Sequence, residues 1–276
     1  MKKTLLLALC TLMLGCSQEA QIREVPYSNS TFINQDWAMN SIWEDGQAEV
    51  AHYDAEMVIY NQVREFDNVF ITVKEEFNEA FKVKTDDYSR DDLFSVMKVN
   101  KFLRLETENY PYQFLTSLFF KRERPEQLYK MTHTGQEWCG NTFKQFEVTP
   151  EGYDYDYNSY FDGYGDGFRT VEGNDMLFED QLSYALRAVK FKDGLTFNKK
   201  VVDSQINTKT RVPNIYNASF QVSDQDSVWR VDIALDTEKS NFYTFDKAYP
   251  HLMQTQETWY GYNLKLNRVS RYQYWR

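Results

Sequence analysis

Tyr153, Tyr155 and Tyr157 alternate strictly with Asp154, Asp156 and Asn158, and this pattern narrows the choice of fold more than any other stretch of the chain. Side chains at period two point to opposite faces of a strand, so one face here is aromatic and the other acidic and hydrated. The alternation runs through Gly152 to Phe161, and a looser version of it recurs along the chain. Short runs rich in Val, Ile, Tyr and Phe fall at Ala48 to Val58, Asn68 to Lys74, Leu93 to Leu105, Gln127 to Thr134 and Asn141 to Val148. Others follow at Lys199 to Gln205, Ile215 to Val222, Ser227 to Leu235, Thr258 to Leu266 and Val269 to Trp275. That rhythm predicts a mainly β protein built on an antiparallel sheet. One stretch breaks it: Leu182, Leu186 and Val189 recur at helical spacing between Glu179-Asp180 and Asp193-Gly194, which predicts a helix over about residues 179–190. A single helix cannot cover the apolar face of so many strands. The expected architecture is therefore a curved antiparallel sheet or open half-barrel, with the helix packed on its concave side and the uncovered remainder left as a cavity.

The amino terminus reads as an export signal. Lys2 and Lys3 precede an apolar run from Thr4 to Leu14, the length of a signal h-region and too short for a membrane span. Leu12-Met13-Leu14-Gly15-Cys16 resembles a bacterial lipobox, in which the Cys16 thiol is lipidated before cleavage. Residues 1–15 are then a signal peptide, 16–35 a flexible tether beginning at the lipid-bearing Cys16, and 36–276 one β-rich domain. Several acyl chains hold a protein to a membrane where one alone would not. Ser17, in place of the Asp that marks inner-membrane retention in enteric-type sorting, favours the outer membrane.

Composition removes some functions. The formal charge of −10 becomes −12 once Lys2 and Lys3 are cleaved off, and an acidic body argues against nucleic acid, whose binding needs Lys and Arg to displace counterions. Twenty Tyr and twenty Phe supply apolar area for a large core. Of three cysteines, Cys10 is discarded and Cys16 acylated, so Cys139 has no disulfide partner within the chain and is expected to survive as a buried thiol.

Three stretches could carry chemistry. His133-Thr134-Gly135-Gln136-Glu137-Trp138-Cys139-Gly140 gathers an imidazole, a carboxylate and the lone thiol. On one strand, however, His133 and Cys139 stand roughly 20 Å apart, beyond the reach of a nucleophile–base dyad unless Gly135 bulges. Glu137 is close enough to Cys139 to touch it but would disfavour the thiolate. A zinc site at these residues would need His52 or His251 as a fourth ligand with no supporting spacing. Asp154, Asp156, Asn158 and Asp162 imitate part of a calcium loop, yet Ser159 stands where the glycine belongs and Gly165 where the bidentate glutamate belongs. Strand followed by turns is the expected reading, with no metal and no cofactor. Tyr110-Pro111-Tyr112 and the apolar run Phe114 to Phe120 are expected either in the core or as an aromatic wall. Tyr110, Tyr112, Glu137, Trp138 and Cys139 are thus the candidate pocket residues.

At these residues the chain resembles a family of uncharacterised bacterial lipoproteins common in Bacteroidota and often labelled "septum formation inhibitor Maf". The resemblance rests on Trp37, Lys101-Phe102-Leu103, Tyr110-Pro111-Tyr112, Gln136-Glu137-Trp138-Cys139-Gly140 and Ser159-Tyr160-Phe161, over about residues 36 to 165. True Maf pyrophosphatases begin with Ser-x-Ser-Pro-Arg-Arg on an α/β fold. This chain has no such start, so no Maf activity is implied. Glu179 to Gly194 is also similar to a segment of the lipoprotein-carrier half-barrels. That similarity implies an open β half-barrel with a helix on its concave face, in a group whose members bind acyl chains or act as envelope scaffolds.

The functional expectation is a non-catalytic lipoprotein, held to the outer membrane by its lipid, that takes an apolar ligand such as a lipid, or a partner protein, in a half-barrel groove. The competing expectations are an envelope hydrolase using Cys139 or Glu137, and a purely structural or interaction lipoprotein.

Overall fold

Residues that alternate in the sequence alternate in burial. In the computed structural model, which describes residues 25–27 and 30–276, Tyr153, Tyr155 and Tyr157 are buried while Asp154, Asp156 and Asn158 face outward. The signal peptide, Cys16 and the first part of the tether lie outside the described residues.

The strands are β1 (Ala48–Ile59), β2 (Gln62–Asn78), β3 (Val83–Lys84), β4 (Leu93–Leu105), β5 (Tyr112–Lys121), β6 (Lys130–Glu137), β7 (Gly140–Val148) and β8 (Gly152–Ser159). They continue as β9 (Gly167–Glu172), β10 (Met176–Phe178), β11 (Thr196–Val202), β12 (Ile215–Gln225), β13 (Val228–Ala234), β14 (Ser240–Asp246), β15 (Met253–Glu257) and β16 (Asn263–Tyr272). All belong to one sheet in the order β10-β11-β12-β13-β14-β15-β16-β1-β2-β4-β5-β6-β7-β8-β9, with β3 paired to β2. Every pairing is antiparallel except β10 with β11. The two edge strands, β9 and β10, follow one another in the chain yet do not pair, so the sheet curves round on itself and stays open at that seam. The mainly β class and the curved, open sheet are as the alternation predicts.

The helical stretch fills the concave side. Every residue from Met176 to Val189 is buried, so this segment crosses the interior instead of lying half-exposed on a surface. It is helical from Glu179 to Ala188 but not regular: a 3-10 turn over Glu179–Gln181, an α turn α1 over Leu182–Ala185 and a second 3-10 turn over Leu186–Ala188.

Several strand readings need correction. Thr258 to Leu266 and Val269 to Trp275 are not two strands. Thr258 instead closes a turn, its Oγ1 accepting from Tyr262 N at 2.9 Å, and β16 runs unbroken beyond it. The run Phe114 to Phe120 lies within β5, whose inner face is Tyr112, Phe114, Thr116, Leu118 and Phe120, all buried, while Leu115 faces outward. In β14, Asn241 shares the buried face with Tyr243 and Phe245, a polar residue that obscures the alternation. Residues 30–35 are no free tether either: Ile33 is buried and bridges Val189, Asn34 N donates to Ala188 O at 2.7 Å, and Phe32 stacks on Phe197 at 3.9 Å.

Candidate functional site

Because neighbouring strands run in opposite directions, their connections gather at two ends of the curved sheet. One end is closed. Trp37 and Trp43 from two short 3-10 turns pack there, Trp37 edge-on to Tyr184 at 5.2 Å. Trp43 Nε1 donates to Tyr249 Oη, which donates in turn to Trp37 O, each at 2.9 Å. Below them Arg187 makes a bidentate ion pair with Glu49 at 2.7 and 2.9 Å, both side chains buried, and stacks over Trp37. The amino-terminal segment enters at this end, with Tyr27 donating to Glu126 at 3.0 Å.

The other end holds a cavity of about 440 Å³. The β1–β2 turn brings Tyr60 and the start of β5 brings Tyr112; the β15–β16 connection supplies Trp259 and Tyr260, and the irregular segment 203–214 crosses over them. Met57, Val58, Ile59, Phe114 and Ile206 make the wall apolar. The Tyr60 and Tyr112 hydroxyls bond to one another at the mouth. Glu179 forms part of the floor: its Oε1 accepts from Asn241 Nδ2 at 2.7 Å and its Oε2 from Ser204 N at 2.9 Å. Burial pushes its carboxyl up to about 7. Asp203 is held by Arg211 at 3.0 Å and by Asn214 Nδ2 at 2.8 Å. A wider, more open depression of about 870 Å³ lies on the outer face over β1, β2, β15 and β16, with the exposed carboxylates Asp54, Glu65, Asp67 and Glu257 in its lining.

One layer in from Phe114, a polar row crosses four strands. Lys101 on β4 is opposite Thr116 on β5, Thr116 opposite His133 on β6, and His133 opposite Lys144 on β7. All four are buried. His133 Nδ1 bonds to Thr116 Oγ1 at 2.8 Å, and desolvation holds its pKa well below the ordinary value. Lys144 Nζ donates to Gln205 O at 2.9 Å and Asn207 Oδ1 at 3.0 Å, which ties the segment over the cavity to the sheet. Lys101 Nζ lies 4.4 Å over the Phe70 ring. Burial lowers Lys144 to about 7 and Lys101 to about 8, and Asp180, itself raised by burial, is the carboxylate that opposes both shifts. Sequence reading missed this row, although its signal is present: Lys101 and Lys144 occupy the inward phase of their strands, between Val99 and Leu103 and between Thr142 and Phe146.

The five candidate residues lie together at the open end, but one of them, Tyr112, lines the cavity. Tyr110 stands beside it, ring centroids 5.5 Å apart, stacks on Trp138 at 6.0 Å and donates to Glu137 Oε2 at 3.3 Å. β6 ends at Glu137, so Trp138 and Cys139 form the turn into β7, and Trp138 is 77% exposed. Gly140 takes φ +157° there, and a Cβ would fall 2.5 Å from Tyr160 Cγ. Cys139 is therefore exposed, not buried as expected; a hairpin tip offers no core to enter. Its thiol donates to Tyr110 Oη at 3.4 Å, and this contact pushes the Tyr110 hydroxyl up to about 12. Gly135 does not bulge: it pairs regularly with Phe114 and Thr142. Its missing Cβ admits the Phe114 ring, since the nearest ring carbon would lie 2.9 Å from it. His133 consequently stays inside and Cys139 outside. His52 faces Arg268 on the outer surface, and His251 bonds to Asp246 O at the closed end. Among the described residues no group of three or more His, Cys, Asp or Glu is placed to hold a metal ion.

No family model matches the chain, and no curated protein matches it. Two solved structures are similar in outline. A β-barrel-like protein of the DUF1849 domain of unknown function from Brucella abortus aligns with TM-score 0.46 and 10% identity, over 82% of this chain and 98% of that one. A DUF1089 family protein from Pseudomonas aeruginosa aligns with TM-score 0.39 and 12% identity, over 66% of this chain and 87% of that one.

Proposed function

We propose that this protein is a lipid-anchored envelope lipoprotein that holds an apolar ligand in the cavity at the open end of its sheet. The observation that carries the reading is that cavity: about 440 Å³, within the range of roughly 300–1,000 Å³ common to small-molecule sites, apolar on its walls and polar at a few points. A non-catalytic role is favoured because, among the described residues, Cys139 makes its side-chain hydrogen bond to Tyr110, while the imidazole of His133 is buried on another partner. Activation of a thiol calls for a base or a positive neighbour.

The anchor reading rests on the lipobox-like Leu12 to Cys16. Val25 comes nine residue steps after Cys16, a reach of at most about 30 Å, and Val25 and Pro26 meet Arg124 and Gln127 at the closed end. An acyl group on Cys16 thus draws the closed end towards the membrane and leaves the cavity mouth at the far end. Native mass spectrometry of protein purified from its own host tests the ligand: an added mass is expected that is lost when the Val58 wall is made polar by Val58→Glu. A clean mass in both forms would remove the ligand reading. Replacing Cys16 by Ser should release the protein from the membrane fraction.

A further inference from the structure

We propose that the ligand of this cavity is a single-chain amphiphile with an anionic head group, and that Lys209 holds the head. The inference rests on the cavity being a ligand site and adds to it the chemistry of the ligand's polar end. It follows from accounting for every charge in the lining. Glu179 has both oxygens engaged, by Asn241 and by the Ser204 amide. Asp203 and Arg211 neutralise one another, and Asn214 completes the Asp203 shell through its backbone N at 3.1 Å and its side chain at 2.8 Å. Lys209 is left. It lines the cavity, is exposed, and makes no ion pair or side-chain hydrogen bond among the described residues. Its backbone is nevertheless held in place, because its N–H donates to Asn207 Oδ1 at 2.9 Å, the same oxygen that accepts from the buried Lys144.

A cation with no ion-pair partner among the described residues, set over an apolar chamber in a protein of net charge −10, selects for one negative group at the mouth and hydrocarbon below it. The Tyr60 and Tyr112 hydroxyls lie in the same lining, and burial keeps Tyr112 protonated, so it remains a donor to an anion. Met57, Ile59, Phe114 and Ile206 would face the chain. The chamber sits in the lower part of the size range of ligand pockets, and the two carboxylates near its floor oppose a second anionic group inside. A carboxylate and a monoester phosphate satisfy the same geometry.

The experiment is calorimetric titration of the full-length mature protein, below the critical micelle concentration, with oleate, lysophosphatidate, uncharged monoolein and dodecyltrimethylammonium. Oleate, lysophosphatidate or both should bind, monoolein about tenfold more weakly and the cation not measurably. Lys209→Glu should weaken the anionic ligands at least about tenfold and leave monoolein within about twofold, whereas Lys192→Glu at the closed end should change nothing. Rising salt should weaken oleate and spare monoolein. Oleate stronger than lysophosphatidate identifies a fatty acid, and the reverse order a lysophospholipid. Equal binding of all head groups, unaffected by Lys209→Glu, overturns the head-group assignment while keeping the cavity. Binding of none of the four overturns the cavity reading with it.

Discussion

Lys144 shows what a single buried charge does to this protein. Desolvation lowers its pKa to about 7 from the ordinary 10.5, and Lys101 moves the same way to about 8. Between those values and 10.5 the folded chain binds fewer protons than the unfolded one, so the contribution of both lysines to stability rises with pH. Glu179, raised by burial to about 7, acts with the opposite sign: folded protein binds more protons from the ordinary 4.5 up to 7, and stability from this group falls as pH rises through that window. Above neutrality the lysines remain. Unfolding free energies from urea titrations should therefore climb between about pH 7.5 and pH 9, before the buried tyrosines begin to ionise on unfolding, by roughly 1–2 kcal/mol per pH unit. Lys144→Met should flatten the climb. An unchanged slope in that variant would place the lysine in water.

Among the elements, the helical segment is the one whose removal the sheet could least tolerate. Arg187 near its end is clamped by Glu49 on β1, bonds through Nε to Pro250 O at 3.0 Å, and lies 5.0 Å from the Trp37 ring centroid. It thus joins the interior segment, the first strand and the closing cap. Arg187→Met strands the Glu49 carboxylate in a dry site and is expected to cost about 3–5 kcal/mol, read as a fall in denaturant midpoint with the β-sheet circular dichroism retained at low denaturant. A loss under about 1 kcal/mol would mean that water reaches Glu49. The apolar spacing of Leu182, Leu186 and Val189 disclosed that a helix stands here. Its breakup into 3-10 and α turns was hidden, because those turns follow from fitting a short segment inside a curved sheet and not from the propensity of its residues.

For the molecule as a whole, the open seam is the decisive feature. β9 pairs with β8 alone among the described residues, and Phe168, Arg169 and Thr170 are exposed on it. The central strands β2, β4 and β5 have a partner on each side. Backbone amides that open to solvent without global unfolding belong to such edges. In native-state hydrogen exchange β9 should exchange first, while the buried inward positions of β4 and β5, Val99 and Leu118 among them, should exchange only with global unfolding. Equal protection of β9 and β5 would show that the seam is closed in solution.

The sequence alone determined which faces are buried, since period-two alternation is a local property and each strand needs only its own residues to declare it; the mainly β class and the curved open sheet follow from that, and the helical spacing of Leu182, Leu186 and Val189 gave the covering stretch. Of the candidate pocket residues Tyr110, Tyr112, Glu137, Trp138 and Cys139, the structure puts Tyr112 in the cavity lining and the other four beside it. What only the tertiary structure decided is which residues from distant strands share a layer. Lys101, Thr116, His133 and Lys144 become a row through register, and Tyr60, Tyr112, Ile206, Lys209 and Trp259 become one cavity because alternating strand directions bring four separate connections to the same end. Register and closure depend on pairings between residues far apart in the chain, and no local pattern carries them.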